Sequence, residues 1–212
     1  MIPPAFSAPV PRWRDRRVHR LPAPPGAPAR AEAQAALMDW WRDPQAPPLA
    51  LVTGAEGAGR TSALAHFLQW ARGAESDAAE DRPVAVFVFS LAFAPNSGHF
   101  FDAIHEWARA NAGEDGANRS DSSDGAPMRR ATAAQALAAL ARAPRGVLVF
   151  LDALELEQSR EAGAEENARA AEIECVELAD FLMDLAGGAA PGVRLLATAA
   201  ALPAEFAEGA PL

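Results

Sequence analysis

The chain has 212 residues, half of them apolar, and a formal net charge of −9. This length suffices for one sizeable hydrophobic core, and no apolar run is long enough to predict a membrane span. The acidic balance argues against a general nucleic-acid-binding protein, because phosphate affinity needs a net basic surface. Cys175 is the only cysteine and the first residues lack a signal peptide's apolar stretch, so we expect a cytoplasmic protein with no membrane partner.

Residues 1–30 hold eight of the 18 prolines and show no apolar periodicity. They predict an extended, disordered lead-in. Five arginines between positions 12 and 20 would suit RNA or an acidic partner, although a solvated basic tail is the preferred interpretation. All nineteen basic residues are arginine and none is lysine, which indicates a coding bias.

Beyond residue 30, periodic segments alternate between two types. Apolar spacing typical of helices covers 31–41, 61–71, 100–110, 131–142 and 164–186. Short apolar runs typical of buried strands cover 49–53, 84–89, 146–151 and 193–197. Four buried strands alternating with helices predict a three-layer α/β fold with a parallel sheet, spanning 31–205. Residues 112–130 are expected to be a disordered insertion and 206–212 a tail.

The strongest motif lies between the first predicted strand and the next helix, where residues 54–61 read GAEGAGRT. The spacing is that of a P-loop, whose glycines turn backbone N–H groups toward the phosphates of a nucleotide. The predicted nucleotide-binding residues are Gly54, Ala55, Glu56, Gly57, Ala58, Gly59, Arg60, Thr61 and Ser62. Thr61 would place its hydroxyl on Mg²⁺. Arg60 stands where the motif has lysine, and this exchange is not conservative.

A second element of the same kind of site follows about 90 residues later. The apolar run at 147–151 ends in Asp152, as does a Walker B strand. A carboxylate at the carboxyl end of a neighbouring parallel strand reaches the metal side of the phosphate crevice. Asp152 is therefore predicted to bind Mg²⁺ through water, and we count it with the catalytic residues. Without the glycine-rich motif, an aspartate at this position would indicate only a strand-end cap.

These motifs resemble the signalling P-loop ATPases called STAND or NACHT-like NTPases, a branch of the AAA-related fold. Residues 30–32 look like the family's arginine–glutamate element, and Thr198 looks like its sensor threonine. Residues 152–156, DALEL, match only part of the family's Walker B segment. Glu155 is then the only nearby carboxylate that we nominate for activating water. The open alternative is that Glu155 is a solvated residue at the head of an acidic run.

The resemblance also implies a strand order of 5-1-4-3-2, with the P-loop strand inside the sheet. No fifth strand and no helical lid can be found after residue 197, so we expect the edge of the P-loop strand to be unpaired. We therefore expect either that the chain is a fragment of a larger signalling protein or that another chain completes its sheet and lid.

The resemblance implies a nucleotide-dependent switch domain that binds ATP with Mg²⁺. Departures at Arg60, Leu156 and Ala200 predict weak or absent hydrolysis. The alternative is a pseudo-NTPase that binds no nucleotide and acts as an interaction scaffold for a protein partner. A small-molecule kinase is a third, weaker interpretation, because no lid arginines are found. His66, His99 and His105 show no metal-ligand spacing, and Cys175 is expected among the core residues of its helix.

Overall fold

The computed structural model describes residues 13–21, 31–72, 82–113, 130–157 and 173–207. The strands are β1 Arg16–Arg17, β2 Leu49–Thr53, β3 Ala85–Ser90, β4 Val147–Asp152 and β5 Val193–Ala199. The helices are α1 Ala31–Arg42, α2 Arg60–Arg72, α3 Ser97–Ala112, α4 Ala133–Leu140, α5 Val176–Ala186 and the short α6 Ala204–Ala207. A 3₁₀ turn, Leu154–Glu157, follows β4.

The five strands form one parallel sheet in the order β1-β3-β4-β5-β2. The predicted α/β class with a parallel sheet is therefore confirmed. The four strands predicted from the sequence also neighbour one another in the order that the family resemblance implies. Ser90 pairs with Asp152, and Thr53 with Ala199, so the carboxyl ends of these strands meet along one edge.

Helices cover both faces of the sheet, because successive side chains of a strand point to opposite faces. One face of β3 and β4, including Phe87 and Val149, packs with α3, α4 and α5 in the larger core cluster. The other face, including Val88 and Phe150, packs with α1 and α2. β3 and β4 are buried along their whole length, as expected for central parallel strands.

The lead-in prediction for residues 1–30 is wrong for 13–21, which form β1 and its flanks. Trp13 is buried against Trp107, with ring centroids 5.1 Å apart, and the Asp15 carboxylate accepts the N–H of Val86. A two-residue strand is too short to show a periodic pattern, so tertiary contacts decide it. The remainder of 1–30 lies outside the described residues.

The predicted count of four strands is likewise too low, because β1 is a fifth. It lies at the edge beside β3, away from the glycine-rich loop. Within the described part of the chain, β2 has one strand neighbour, β5, so its other edge is unpaired there.

Several boundaries also differ from the sequence prediction. Helix α5 begins at Val176, and Cys175 is its N-cap instead of lying within a longer helix. Ile173 forms an isolated bridge, while 158–172 are outside the described ranges, as are 114–129 of the expected insertion. Phe206, assigned to the tail, is buried within α6. Among the described residues, no helix is both long and apolar enough to cross a membrane.

Candidate functional site

The loop between β2 and α2, residues 54–59, is referred to as the glycine loop. Gly57 and Gly59 have φ angles of 77° and 84°, a region that side chains with a Cβ rarely adopt. The Ala58 N–H donates to the Ala55 carbonyl at 3.0 Å, which closes the turn. Helix α2 begins at the next residue, Arg60, so the loop lies directly on a helix N-terminus. Such an end carries unpaired N–H groups and a partial positive charge, which attract anions.

Asp152, at the carboxyl end of β4, accepts hydrogen bonds from three hydroxyl groups that belong to other elements. Thr61 and Thr198 donate to its Oδ1 at 3.0 and 2.9 Å, and Ser90 donates to its Oδ2 at 3.0 Å. We call Thr61, Ser90, Asp152 and Thr198 the Asp152 cluster. Ser90, Asp152 and Thr198 are buried, whereas Thr61 is half-buried at the start of α2. The cluster therefore joins the glycine-loop helix to the ends of three strands.

Arg60 and Glu155 form an ion pair beside this cluster, with Nη2 and Oε1 2.7 Å apart. The two side chains are only 10% and 19% exposed. Arg60 Nη1 and Glu155 Oε2 are buried and have no hydrogen-bond partner among the described residues. The arginine at the lysine position of the motif is thus held by the carboxylate nominated to activate water.

The chain turns sharply at Ala153, between Asp152 and the 3₁₀ turn. Its φ angle is 65°, in the left-handed region where a non-glycine residue is uncommon. The Ala153 N–H donates to Thr198 Oγ1 at 2.8 Å, so the same hydroxyl serves as acceptor and as donor to Asp152. This turn leads the chain directly into the segment that carries Glu155. Backbone strain of this kind clusters at functional sites.

The residues at this edge fit the magnesium nucleotide that the sequence predicts. Thr61 and Asp152 supply hydroxyl and carboxylate oxygens, the donors that Mg²⁺ prefers, and Mg²⁺ takes few protein ligands because it keeps water and substrate phosphates. No group of three or more His, Cys, Asp or Glu suitable for a metal occurs in the described ranges. The unpartnered Nη1 of Arg60 is a buried donor that a phosphate oxygen would satisfy.

The structure brings most of the predicted site residues to one end of the sheet. The glycine loop, Arg60, Thr61 and Ser62 lie at the start of α2, while Asp152, Glu155 and Thr198 lie at the ends of β4 and β5. Leu156, one of the predicted departures from the family's pattern, is exposed. Of the predicted arginine–glutamate element, Arg30 lies outside the described residues.

Sequence reasoning missed two features of the site. Ser90 was given no role, although it is a polar residue ending a buried strand next to the Asp152 strand. That position is the signal that could have identified it, because parallel strands end along one edge. Sequence reasoning also missed the ion pair between Arg60 and Glu155, because it assigned Arg60 to the phosphates and Glu155 to the activation of water.

Comparisons with protein-family models and with curated proteins find no match for this chain. The family resemblance of its motifs therefore stays a prediction.

Proposed function

We propose that this chain is an ATP-binding domain of the P-loop type, which acts as a nucleotide-dependent switch and hydrolyses ATP weakly or not at all. The observation that carries the proposal is the 3.0 Å contact between Thr61 Oγ1 and Asp152 Oδ1. It joins the Thr61 hydroxyl, just after the glycine loop, to a buried acid at the end of β4, which is separated from β2 by β5 in the sheet. This is the pairing that a phosphate-bound Mg²⁺ needs.

Each part of the chain has a role in this proposal. Backbone N–H groups of the glycine loop and the first turn of α2 bind the phosphates. Thr61 would hold Mg²⁺ through its hydroxyl and Asp152 would hold it through water, and the bound metal would neutralise phosphate charge. Ser90 and Thr198 hold Asp152 in place through its two oxygens. Thr198, bonded to both Asp152 and the Ala153 N–H, would transmit a change at Asp152 to the turn that carries Glu155.

The Arg60–Glu155 ion pair supports slow hydrolysis. A carboxylate that activates water must hold its lone pairs toward that water, and a cation on the phosphates must leave other partners. Here Arg60 Nη2 and Glu155 Oε1 bond to each other, so one oxygen of the carboxylate and one nitrogen of the cation are already engaged. Binding of a phosphate chain would therefore compete with Glu155 for Arg60, and this exchange of partners is the switching event that we propose.

The test is a thermal-unfolding titration with Mg-ATP, Mg-ADP and Mg-GTP. At about a hundredfold excess over the Kd, a bound nucleotide should add about 2.7 kcal/mol to the free energy of unfolding. We expect adenine nucleotides to produce this gain in the parent chain and Thr61→Ala to remove it. Thr132→Ala is the matched control, because it removes a hydroxyl from the capping box of α4 and leaves the site intact.

The outcomes separate the proposal from its alternative. If neither the parent chain nor Arg60→Lys gains stability with any nucleotide, the proposal is wrong. If only Arg60→Lys gains stability, the native chain is a pseudo-NTPase whose nucleotide site is blocked by one residue. A phosphate-release assay on any variant that binds ATP then measures hydrolysis directly.

The second candidate function is a nucleotide-free interaction scaffold, and the unpaired edge of β2 among the described strands favours it. An unpaired parallel edge offers N–H and C=O groups to a strand from a partner protein. A scaffold of this kind would be indifferent to nucleotide in the titration.

A further inference from the structure

The amino ends of the strands enclose a cavity of about 510 Å³, at the opposite end of the sheet from the glycine loop. Its lining includes Val84 before β3, Gly146 before β4 and Gly192 before β5. This volume is within the usual range for small-molecule sites. Ligands of parallel α/β sheets normally bind at the carboxyl ends, so this cavity is separate from the site proposed for ATP.

Four arginines line the cavity, namely Arg42, Arg82, Arg145 and Arg194. They come from the end of α1, the approach to β3, the approach to β4 and β5, so the fold brings together charges that are far apart in the sequence. The chain as a whole carries a net charge of −9, which makes four arginines around one cavity a local exception. No acidic side chain lines the cavity among the described residues.

Arg194 has a structural role within this group. Its guanidinium donates to the carbonyls of Trp40, Trp41 and Asp43 at the end of α1, and lies over both tryptophan rings. Burial lowers the pKa of Arg194, and Asp43 opposes that effect. Arg194 therefore contributes positive charge to the cavity while most of its donors are occupied.

Arg82 and Arg145 differ from Arg194. Arg82 Nε is buried and has no hydrogen-bond partner among the described residues. Arg145 lies on the exposed rim of the cavity. A buried donor without a partner is unfavourable, and an anion that accepts from it would remove that penalty.

We propose that this cavity is a second ligand site, which binds a small soluble anion carrying two or more linked phosphate groups. Guanidinium forks match phosphate oxygens in pairs, and Arg82 and Arg145, with the added positive charge of Arg42 and Arg194, favour a multivalent anion over a single phosphate. The site needs no metal ion, because the arginines themselves neutralise the charge. It is independent of the glycine loop and of the function proposed for it.

The test is calorimetric titration of the full chain with tripolyphosphate at low salt, with a chelator present to remove divalent metal. We expect binding, and we expect Arg82→Gln/Arg145→Gln to weaken it roughly tenfold or more, because two charge-assisted contacts are lost. Arg17→Gln/Arg20→Gln is the charge-matched control, since both residues are exposed near β1, away from the cavity. Gly59→Ala, which alters the glycine loop, should also leave the affinity within about twofold.

Four results would overturn the proposal. These are no binding by the parent chain, equal weakening in the Arg17/Arg20 control, loss of binding in Gly59→Ala, or orthophosphate binding as tightly as tripolyphosphate. If the double variant does not fold, as judged by its thermal transition, Arg145→Gln alone replaces it, because that side chain is exposed. Since metal is absent throughout, failure here leaves the Mg-ATP titration unaffected.

Discussion

At the scale of single residues, Arg60 and Glu155 are 95 positions apart and form an ion pair that is largely shielded from water. Removing one member of such a pair leaves the other buried without a partner, whereas removing both is often nearly neutral. The ion pair therefore affects nucleotide binding at the site more than it affects the free energy of unfolding.

This contrast predicts the outcome of a double-mutant cycle. Glu155→Leu alone should lower the free energy of unfolding by about 3 kcal/mol, because Arg60 is left unpaired. Arg60→Leu/Glu155→Leu should recover most of that loss. The free energies of unfolding are measured by urea denaturation of the parent chain, both single variants and the double variant. Additive single effects would mean that the two side chains do not interact in solution.

At the scale of elements, β1 is the part of the sheet with the least backbone pairing, since only Arg16 and Arg17 are in register with β3. After the strand, the Val18 N–H also donates to the Val88 carbonyl at 3.0 Å, and before it side chains supply further attachment. Trp13 packs edge-on against Trp107, whose Nε1–H donates to the Arg14 carbonyl at 2.7 Å, and Asp15 accepts from Val86. The strand is thus held by contacts on both sides of its two residues.

Trp13→Ala should therefore destabilise the chain by about 3 kcal/mol, as do other substitutions of buried aromatic residues by alanine. The measurement is the midpoint and slope of urea unfolding. Arg17→Ala, at an exposed position of the same strand, is the control and should change stability by less than about 0.5 kcal/mol. A Trp13→Ala effect as small as that of the control would show that β1 is not attached to the sheet.

At the scale of the whole molecule, the parallel sheet separates two chemically different ends. The carboxyl ends carry the glycine loop and the Asp152 cluster, whereas the amino ends carry the arginine cavity. Helices on both faces bury the sheet between them, so each end has its own surroundings. Global stability reports on groups throughout this body, including the two histidines His19 and His105, of which His19 contacts the backbone of Ser90.

The stability of the molecule should decrease as the pH falls below the ordinary histidine pKa of 6.5. Burial lowers the pKa of His19, and burial followed by the Arg109 charge lowers that of His105, against a smaller opposing effect of Asp102. The unfolded chain therefore binds protons first, which favours unfolding between 6.5 and the lower folded values. Above 6.5 this contribution is fully present. Protonated His19 could also no longer accept the Ser90 N–H at Nδ1.

Urea unfolding across this pH window tests the expectation. His19→Gln/His105→Gln should flatten the dependence, because glutamine does not titrate. An unchanged slope in the double variant would assign the dependence to other groups.

Much of the fold could be predicted from the sequence, because its signals are local. β2 was predicted with its observed bounds, and β3, β4 and β5 lie close to theirs, because continuous apolar runs are typical of strands buried on both faces. The glycine loop was likewise predicted from spacing, and the positive φ angles of Gly57 and Gly59 agree with it. Which residues follow each strand, and hence which end of the sheet they occupy, was also determined by the sequence.

The tertiary structure alone decided which side chains meet. The two-residue β1 has no periodic pattern of its own, so it forms only because Trp13 and Asp15 find partners in α3 and β3. Ser90 joins Asp152 across 62 positions, and the cavity arginines converge from four separate segments. Such contacts depend on strand order and register, which local propensity does not encode, because they are set by the packing of the whole sheet against its helices.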